Sequence, residues 1–350
     1  MPCPTSPYYR RNRLDADAQA RYDLVIDAVR EHAERLPSGA HPEDWTAVAD
    51  HPELFWMAGP LMDDGSGAWK IQYYDLSPQE IAREQRRIDR TAEMILDLAP
   101  AGGSDWDKAL YVYEALVRLV RYEEDAAGIA LAGSDASGVW RNGRDFSRTI
   151  YGPLAEHWGV CVGYAMAMQY LLQLLGIECL HVQGKSAERG GGHAWNIACL
   201  DGEYCLIDAT FGRGWSVGAD DRPVYVAHDW FGFSPDDYAG GAYSYYETPP
   251  TIPLPARFST ACDWFRRTGW FVEEFNPAQV DALVERARAE RLTVLEVKCA
   301  SDAACDAVRR HLEGQHGLVV FPHRLHVLAA PLLSGVQLVG IGPDGEVVVP

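Results

Sequence analysis

The spacing of hydrophobic residues predicts helices in the first part of the chain. An amphipathic pattern covers Leu14 to Leu36. A second helix begins at the capping box Ser77-Pro-Gln-Glu80, reaches about Leu98 and turns apolar residues to one face: Ile81, Ile88, Ala92 and Ile95. A third helix, capped by Ser104, spans Asp105 to about Val120, with these residues inward: Leu110, Tyr113, Leu116 and Val117. Residues 1–100 are therefore predicted to be mainly helical.

The pattern changes after the third helix. Residues 125–145 are rich in Gly, Asp and Ser and predict a loop. An apolar helix is predicted over Val162–Leu175, followed by strands at Ile177–Val182, His193–Leu200 and Glu203–Thr210. Residues 212–255 are rich in Gly, Pro and aromatic residues, which predicts irregular structure.

Helices and strands alternate in the rest of the chain. The pattern predicts helices from Asn276-Pro277 to about Glu290 and over Ser301–Leu312, and strands at Leu292–Val297, Gly317–Phe321, Val336–Ile341 and Glu346–Val349. This alternation indicates a small α/β domain. We therefore predict an α+β protein with three regions: a helical N-terminal region at 1–100, a core at 101–255 and an accessory α/β domain at 256–350.

The composition is that of a globular chain with an acidic excess. Hydrophobic residues make up 47% of the 350 residues and charged residues 23%, the usual range for a chain that buries a core. Asp and Glu number 50 and Lys and Arg 31, so the net charge is −19. That charge argues against nucleic acid or an anionic membrane as a partner. The pattern leaves the oligomeric state undetermined.

The eight cysteines bear on location and on metal binding. None belongs to a C-x-x-C pair, which argues against a zinc ribbon, and no metal ligand is predicted. The segment Met1–Tyr22 lacks the apolar stretch of a signal peptide. The uncharged stretch Trp158–Ile177 is interpreted as a loop and a core helix rather than a membrane span. We therefore expect reduced thiols in a cytoplasmic protein.

Cys161 is the cysteine whose position suggests chemistry. It follows the loop residues Trp158-Gly159-Val160 and stands at the N-terminus of the predicted helix. The helix dipole and the free N–H groups of the first turn favour a thiolate and could hold an oxyanion. A small buried thiol is the structural alternative.

A predicted hairpin places a histidine beside an aspartate. Asp201-Gly202 is a strong two-residue turn signal between the strands that begin at His193 and Glu203. In that register Trp195 faces Asp208, and His193 and Asp208 become diagonal neighbours on one face, with main chains roughly 7–8 Å apart. A histidine oriented by a carboxylate can serve as the base of a nucleophile–base–acid triad. The structural alternative is a hairpin with one satisfied histidine and one solvated aspartate.

Several motifs resemble those of the transglutaminase-like superfamily, in particular its bacterial papain-fold cysteine enzymes. They are Gly159-Val-Cys161-Val-Gly-Tyr164-Ala, Leu174-Leu-Gly176-Ile-Glu-Cys179, Gly192-His193-Ala-Trp195-Asn196 and Ile207-Asp208-Ala-Thr210. The similarity also covers Ser104–Lys108, Val120–Tyr122 and Tyr151–Leu154, and it extends more weakly to His51–Phe55 and the C-terminal α/β region. The resemblance implies a papain-like/transglutaminase-like core in which Cys161 is the nucleophile, His193 the base and Asp208 its orienter.

Further site residues are predicted around these three. Trp158, Tyr151 and Trp195 are candidates to contact the substrate or an oxyanion. Ala155 stands six residues before the cysteine, where papain-type enzymes have Gln, so the sequence identifies no second oxyanion donor.

These observations predict a cysteine-dependent acyl-transfer enzyme. The leading hypothesis is a hydrolase of amide bonds in a peptide or protein that works through an acyl-thioester and needs no cofactor. One alternative is a protein-glutamine transglutaminase with an amine acceptor, which needs the same triad. Another is a catalytically silent binding module.

Three other histidines are interpreted as structural. His228-Asp229 could be a second acid–base pair, but a surface turn is the favoured interpretation. His323 and His326 lack metal-ligand partners at a useful spacing, which favours surface or half-buried positions.

Overall fold

The computed structural model describes residues 6–122, 140–141, 144–186, 192–213, 225–235, 243–245, 254–292, 294–323, 326–330, 340–341 and 347–348. The chain divides into two compact units. Unit 1 comprises Met1–Thr210 and Pro235–Phe258, and unit 2 comprises Phe211–Ser234 and Ser259–Pro350. Residues 1–100 and most of the predicted core thus share unit 1, and the three-region division stays a prediction.

Helices and strands both contribute to each unit, which confirms the α+β class. The α-helices are α1 (Ala16–Arg30), α2 (Pro78–Leu96), α3 (Asp105–Leu119), α4 (Cys161–Leu174), α5 (Trp264–Thr268), α6 (Pro277–Ala289) and α7 (Asp302–His316). The predicted capping box at Ser77 begins α2, and the predicted cap Ser104 begins α3, where it forms a capping box with Asp107. Of the residues predicted to face inward from α3, Tyr113, Leu116 and Val117 are buried, whereas Leu110 is only half-buried.

Unit 1 is built around an antiparallel sheet against which α4 packs. Within this unit the strands follow one another as β9 (Glu203–Ile207), β8 (Gly192–Leu200), β7 (Cys179–Ser186) and β11 (Tyr243–Tyr245). Short pairs are formed by β1 (Met62–Asp63) with β2 (Trp69–Lys70), β3 (Arg121–Tyr122) with β6 (Trp158–Gly159), and β4 (Trp140–Arg141) with β5 (Arg144–Asp145). The parallel β3–β6 pair lies just before the start of α4 and fixes the approach of the chain to Cys161.

Unit 2 has its own sheet and core. The strand order is β12 (Phe271–Val272), β13 (Leu295–Cys299), β15 (His326–Ala330) and β14 (Val319–His323), with α6 and α7 contributing apolar residues to the same buried cluster. The remaining strands are β10 (Phe231–Phe233), β16 (Gly340–Ile341) and β17 (Val347–Val348). This mixture agrees with the predicted α/β character of the C-terminal region.

The structure differs from the predicted elements at several ends. Helix α1 stops at Arg30 rather than Leu36, and the positive φ of His32, 56°, lies just beyond its end. Strand β13 begins at Leu295 rather than Leu292, and β7 continues past Val182 to Ser186. Short strands occur within 125–145 and 212–255, where only loops were expected; most of the former range and much of the latter lie outside the described residues. The predicted strand at Val336–Ile341 is described only at its last two residues.

The expectation that every cysteine is reduced is wrong at Cys199. This residue is disulfide-bonded. The free cysteines are Cys161, Cys179, Cys205, Cys262, Cys299 and Cys305. Cys161 is half-buried, whereas the other free thiols are buried.

Within the described ranges, no helix combines the length and apolar character needed to cross a bilayer.

Candidate functional site

The β8–β9 hairpin brings His193 and Asp208 together. The two turn residues, Asp201 and Gly202, both have positive φ, 52° and 93°, as a primed hairpin turn requires. Leu200 pairs with Glu203, which is the predicted register. His193 Nε2 lies 2.6 Å from Asp208 Oδ2, and both side chains are buried. The histidine–carboxylate contact expected from counting residues around the turn is therefore present.

The carboxylate of Asp208 is held from its other side as well. The backbone N–H of Thr210 donates to Asp208 Oδ1 at 3.0 Å. Each carboxylate oxygen thus has a fixed partner, one on the imidazole and one on the backbone. A carboxylate fixed in this way determines which imidazole nitrogen is engaged and how the ring is turned.

Cys161 is the first residue of α4. Val160 precedes it as the N-cap in extended conformation, and Tyr164 N donates the first helical hydrogen bond, to Val160 O at 3.0 Å. The N–H groups of the residues between them belong to the helix turn that has no intrahelical acceptors. The partial positive charge of that turn therefore lies at the Cys161 sulfur.

The thiol of Cys161 and the carboxylate of Asp208 both act on His193. Burial by itself lowers the pKa of His193. The charge and hydrogen bond of Asp208, followed by those of Cys161, outweigh burial and raise the pKa from 6.5 to about 10. His193 is thus hydrogen-bonded to Asp208 and lies close enough to Cys161 for the thiol to raise its pKa, while the catalytic roles of the three residues stay predictions.

Glycines allow the start of α4 to approach a neighbouring loop. A Cβ atom at Gly163 would lie 2.2 Å from the carbonyl oxygen of Ser147, and one at Gly152 would lie 2.7 Å from that of Trp158. The same Ser147 oxygen accepts a hydrogen bond from Val160 N at 3.1 Å. The loop therefore fixes the residue before Cys161 only because Gly163 has no side chain.

Buried amides attach α4 to the sheet. Asn196 Nδ2 donates to Ala165 O at 2.8 Å, and Asn196 is fully buried. One turn later, Gln169 Oε1 accepts from the backbone N–H of His181 at 3.0 Å. These bonds set α4 against β7 and β8 and so set the distance between Cys161 and His193. Asn196 stood in the recognised His193 motif, but its role was not predicted.

The three further candidates occupy different surroundings. Trp195 is buried, and its ring stacks on that of His193 with centroids 6.0 Å apart. Trp158 is half-buried in β6, three residues before Cys161.

Tyr151 is buried within its own polar cluster. Its hydroxyl donates to Glu156 at 2.7 Å and accepts from Arg87 at 2.9 Å. Arg87 also pairs with Glu156 at 2.8 Å and donates to Ala155 O. Position 155, where the family pattern has Gln, thus contributes its carbonyl to this structural cluster.

The expected surface turn at His228-Asp229 is wrong. Asp229 is buried, and His228 Nδ1 lies 2.6 Å from Glu296 Oε2 while its ring stacks on Trp264 at 4.1 Å. His228 therefore connects its segment to Glu296 and Trp264 within unit 2. His323 and His326 pair across the β14–β15 hairpin.

A cavity of about 250 Å³ lies elsewhere in unit 1. Its lining residues are Tyr8, Glu53, Gln85, Tyr170, Gln173 and Leu174. None of them is a predicted site residue. The cavity is therefore no guide to the substrate that Cys161 would act on.

The solved structures that this chain partly matches include the following two. A solved structure of a TGase shares 16% sequence identity and a TM-score of 0.31, over 43% of this chain and 43% of that one. A protein from Cytophaga hutchinsonii, provisionally assigned as a cysteine protease, shares 14% identity and a TM-score of 0.27, over 44% of this chain and 62% of that one. This chain thus covers less than two thirds of either structure. No protein-family model and no curated protein matches it.

Proposed function

We propose that this protein is a cysteine-dependent acyl-transfer enzyme that hydrolyses an amide bond in a peptide or protein. The observation that carries the proposal is the convergence of the Cys161 thiol and the Asp208 carboxylate on one buried imidazole. The motif resemblance to transglutaminase-like cysteine enzymes supports the same assignment of roles. Neither a helix-start cysteine nor a buried histidine alone would support it.

The first step forms an acyl-thioester. A protonated His193 and the N-terminus of α4 both favour negative charge on the sulfur of Cys161. The sulfur attacks the carbonyl carbon, and the charge moves to the carbonyl oxygen, where the N–H groups of the first helical turn stabilise it. The C–N bond then breaks, and His193 gives its proton to the departing amine.

The second step releases the acyl group. His193, now neutral and still held by Asp208, accepts a proton from water as the water oxygen attacks the thioester carbon. The C–S bond breaks, a carboxylic acid leaves, and the proton on His193 restores the starting ion pair. The cycle consumes one water and needs no redox partner.

The proposal is tested by mapping where a thiol reagent and an acyl donor react. With iodoacetamide and with p-nitrophenyl acetate, peptide mass analysis should place the first adduct on Cys161, which is the least buried of the free cysteines that the structure describes. Cys161→Ala should abolish that adduct and lower hydrolysis of a fluorogenic peptide library by about a thousandfold or more. Cys205→Ala, which removes a buried thiol of the β8–β9 hairpin, serves as the matched control and should retain both the adduct and the hydrolysis.

Two outcomes bear on alternatives. If Cys161→Ala retains full labelling and hydrolysis, the proposal is wrong. Addition of a primary amine separates the acceptors: amide adducts in the products would assign transfer to an amine rather than to water.

We also propose a cytoplasmic location, because a reducing compartment keeps the Cys161 thiol free. The disulfide at Cys199 counts against it. Peptide mass analysis decides between a reducing and an oxidising compartment. Alkylation of Cys199 in protein trapped directly from cells would support a reducing compartment, and a persistent disulfide would contradict it.

A further inference from the structure

Three side chains with metal-binding atoms converge in unit 2. Asp281 lies on α6, and His311 and His316 lie on α7. One oxygen, Asp281 Oδ1, lies 2.6 Å from His311 Nε2 and 2.8 Å from His316 Nε2. The three candidate ligand atoms all lie within 4.8 Å of one another.

The end of α7 makes this arrangement possible. His311 and His316 are five residues apart, a spacing that does not place two side chains on one face of a long regular helix. His316 is the last residue of α7, and Gly317 follows in the left-handed region with φ 62°. The two imidazole centroids are 5.6 Å apart. The ring of Phe275 packs edge-on against His311, with centroids 5.7 Å apart.

Burial and charge suit a small cation that enters from solvent. The side chains of His311 and His316 are 13% and 14% exposed, whereas Asp281 is 49% exposed. The two imidazoles are thus held in place while the carboxylate faces water.

We propose that Asp281, His311 and His316 form a binding site for a divalent transition metal ion, with Zn²⁺ as the representative. Two imidazole nitrogens and one carboxylate oxygen are ligands that zinc accepts at about 2.0–2.2 Å, with a fourth position open to water. Bonds of that length at tetrahedral angles put ligand atoms about 3.3 Å apart. The carboxylate oxygen, now 2.6 Å from His311 Nε2 and 2.8 Å from His316 Nε2, therefore needs to move away from these nitrogens by only about 0.7 Å and about 0.5 Å to admit the ion.

This site goes beyond the proposed acyl transfer. Its residues belong to unit 2, whereas Cys161, His193 and Asp208 belong to unit 1. No sequence pattern predicted this site, because one ligand comes from another helix and the His311–His316 spacing matches no common zinc motif. The competing interpretation is a self-satisfied His–Asp–His hydrogen-bonded cluster.

Zinc titration of the full chain tests the site. The Cys161→Ala variant is used as the reference protein, because the half-exposed thiol of Cys161 could itself bind zinc. Competition with a chromophoric chelator should show one zinc ion bound to the reference. Asp281→Asn and His316→Gln should each weaken that binding by at least about tenfold, since even an outer partner of a metal site has that effect. His32→Asn, which removes an exposed histidine of unit 1, is the matched control and should bind as the reference does.

A second readout protects the test against misfolding. Co²⁺ bound by two nitrogens and an oxygen gives visible absorption bands, and these should appear in the reference and in His32→Asn and disappear in Asp281→Asn. Because Asp281 is half-exposed and Asn keeps a hydrogen-bonding oxygen, this variant should melt close to the reference temperature. Failure of the reference to bind either ion, or equal zinc affinity in all variants, would overturn the metal site. Neither result would change the expected labelling of Cys161, so the proposed acyl transfer is tested separately.

Discussion

His193 is the residue at which the electrostatics of the candidate site can be measured directly. Its pKa is raised from 6.5 to about 10, so the ring is an imidazolium at neutral pH. A group with a raised folded-state pKa stabilises the fold fully below its unfolded pKa, near 6.5. That contribution is lost as the pH rises through the folded pKa, near 10. The pH window in which the ring changes charge therefore lies on the alkaline side of neutrality.

We predict that an NMR titration of the His193 ring shows deprotonation near pH 10, and that Asp208→Asn lowers this pKa. Asn occupies the same space and keeps an oxygen, but it removes the negative charge that stabilises the imidazolium. The midpoint is measured from the ring carbon and proton shifts. An unchanged midpoint in Asp208→Asn would mean that the ion pair does not control the protonation of His193. His181, whose pKa burial lowers to about 4, is an internal comparison of opposite sign.

The residues of the candidate site differ in how far the sequence could predict them. His193 and Asp208 lie in one hairpin, so counting around Asp201-Gly202 was sufficient to place them together. Tyr151 could not be placed in the same way. Its hydroxyl is held by Arg87, which lies 64 residues away in the chain, and no local pattern records that partner.

At the scale of elements, the start of α4 depends on a contact that the sequence does not reveal. The sequence predicts Gly163 as part of an apolar helix and gives no reason for a glycine there, although glycine within a helix lowers stability. The structure explains it, since the Ser147 carbonyl fills the space that a side chain would need. The loop that supplies Ser147 has no fixed sequence distance from the helix it supports, so the requirement appears only in the folded chain.

We predict that Gly163→Ala destabilises the protein by about 1–3 kcal/mol, the range for overpacking a tight contact. The new Cβ would lie 2.2 Å from a backbone oxygen, so either the loop or the start of α4 must shift. Urea unfolding should show the loss, and iodoacetamide labelling of Cys161 should slow because the sulfur leaves His193.

Gly314→Ala is the matched control for this substitution. Gly314 lies within α7, and nothing approaches the position of its absent Cβ within 4 Å. Alanine there should stabilise the chain by about 0.5–1 kcal/mol, because it restricts the unfolded backbone without a clash. If Gly163→Ala behaved like Gly314→Ala, the tight contact with Ser147 would be refuted.

Elements defined by their own residues were the ones the sequence predicted well. The Ser77 capping box and the Ser104 cap begin α2 and α3 as expected, because the partners of each serine lie within one turn. Strand β15 was not predicted, because hydrophobic and polar residues alternate only weakly along it. It is defined by its pairing with β13 and β14. Short strands such as β12, which pairs in parallel with β13, are likewise defined by a partner.

At the scale of the molecule, the division into units follows packing rather than chain order. The predicted boundary at 255/256 assumed that the C-terminal region folds from consecutive residues. In the structure, Phe211–Ser234 belong with Ser259–Pro350. Gly232 has a positive φ of 75°, and a Cβ there would lie 1.9 Å from the carbonyl oxygen of Cys262. Such an approach between distant segments leaves no trace in local hydrophobic spacing.

Because residues 211–234 belong to the same unit as residues 259–350, truncation of the chain has a predictable effect. A chain that ends at Phe258 keeps residues 211–234 but removes their partners in unit 2. His228 loses Glu296, which accepts from its backbone N–H at 3.1 Å, and it also loses the Trp264 ring stacked on it. We predict that amide exchange at residues 225–233 becomes faster by at least about tenfold, since a segment without its packing partners opens locally.

The matched control is a chain that ends at Ala330, which retains Cys262, Trp264 and Glu296 together with strands β12 to β15. Exchange at residues 225–233 should there remain as slow as in the full chain, because the contacts of His228 with Glu296 and Trp264 and the close approach of Gly232 to Cys262 are still present. Slow exchange in the chain ending at Phe258 would have the opposite meaning. It would show that residues 211–234 hold their structure without residues 259–350, and that the sequence-based boundary separates two self-sufficient regions.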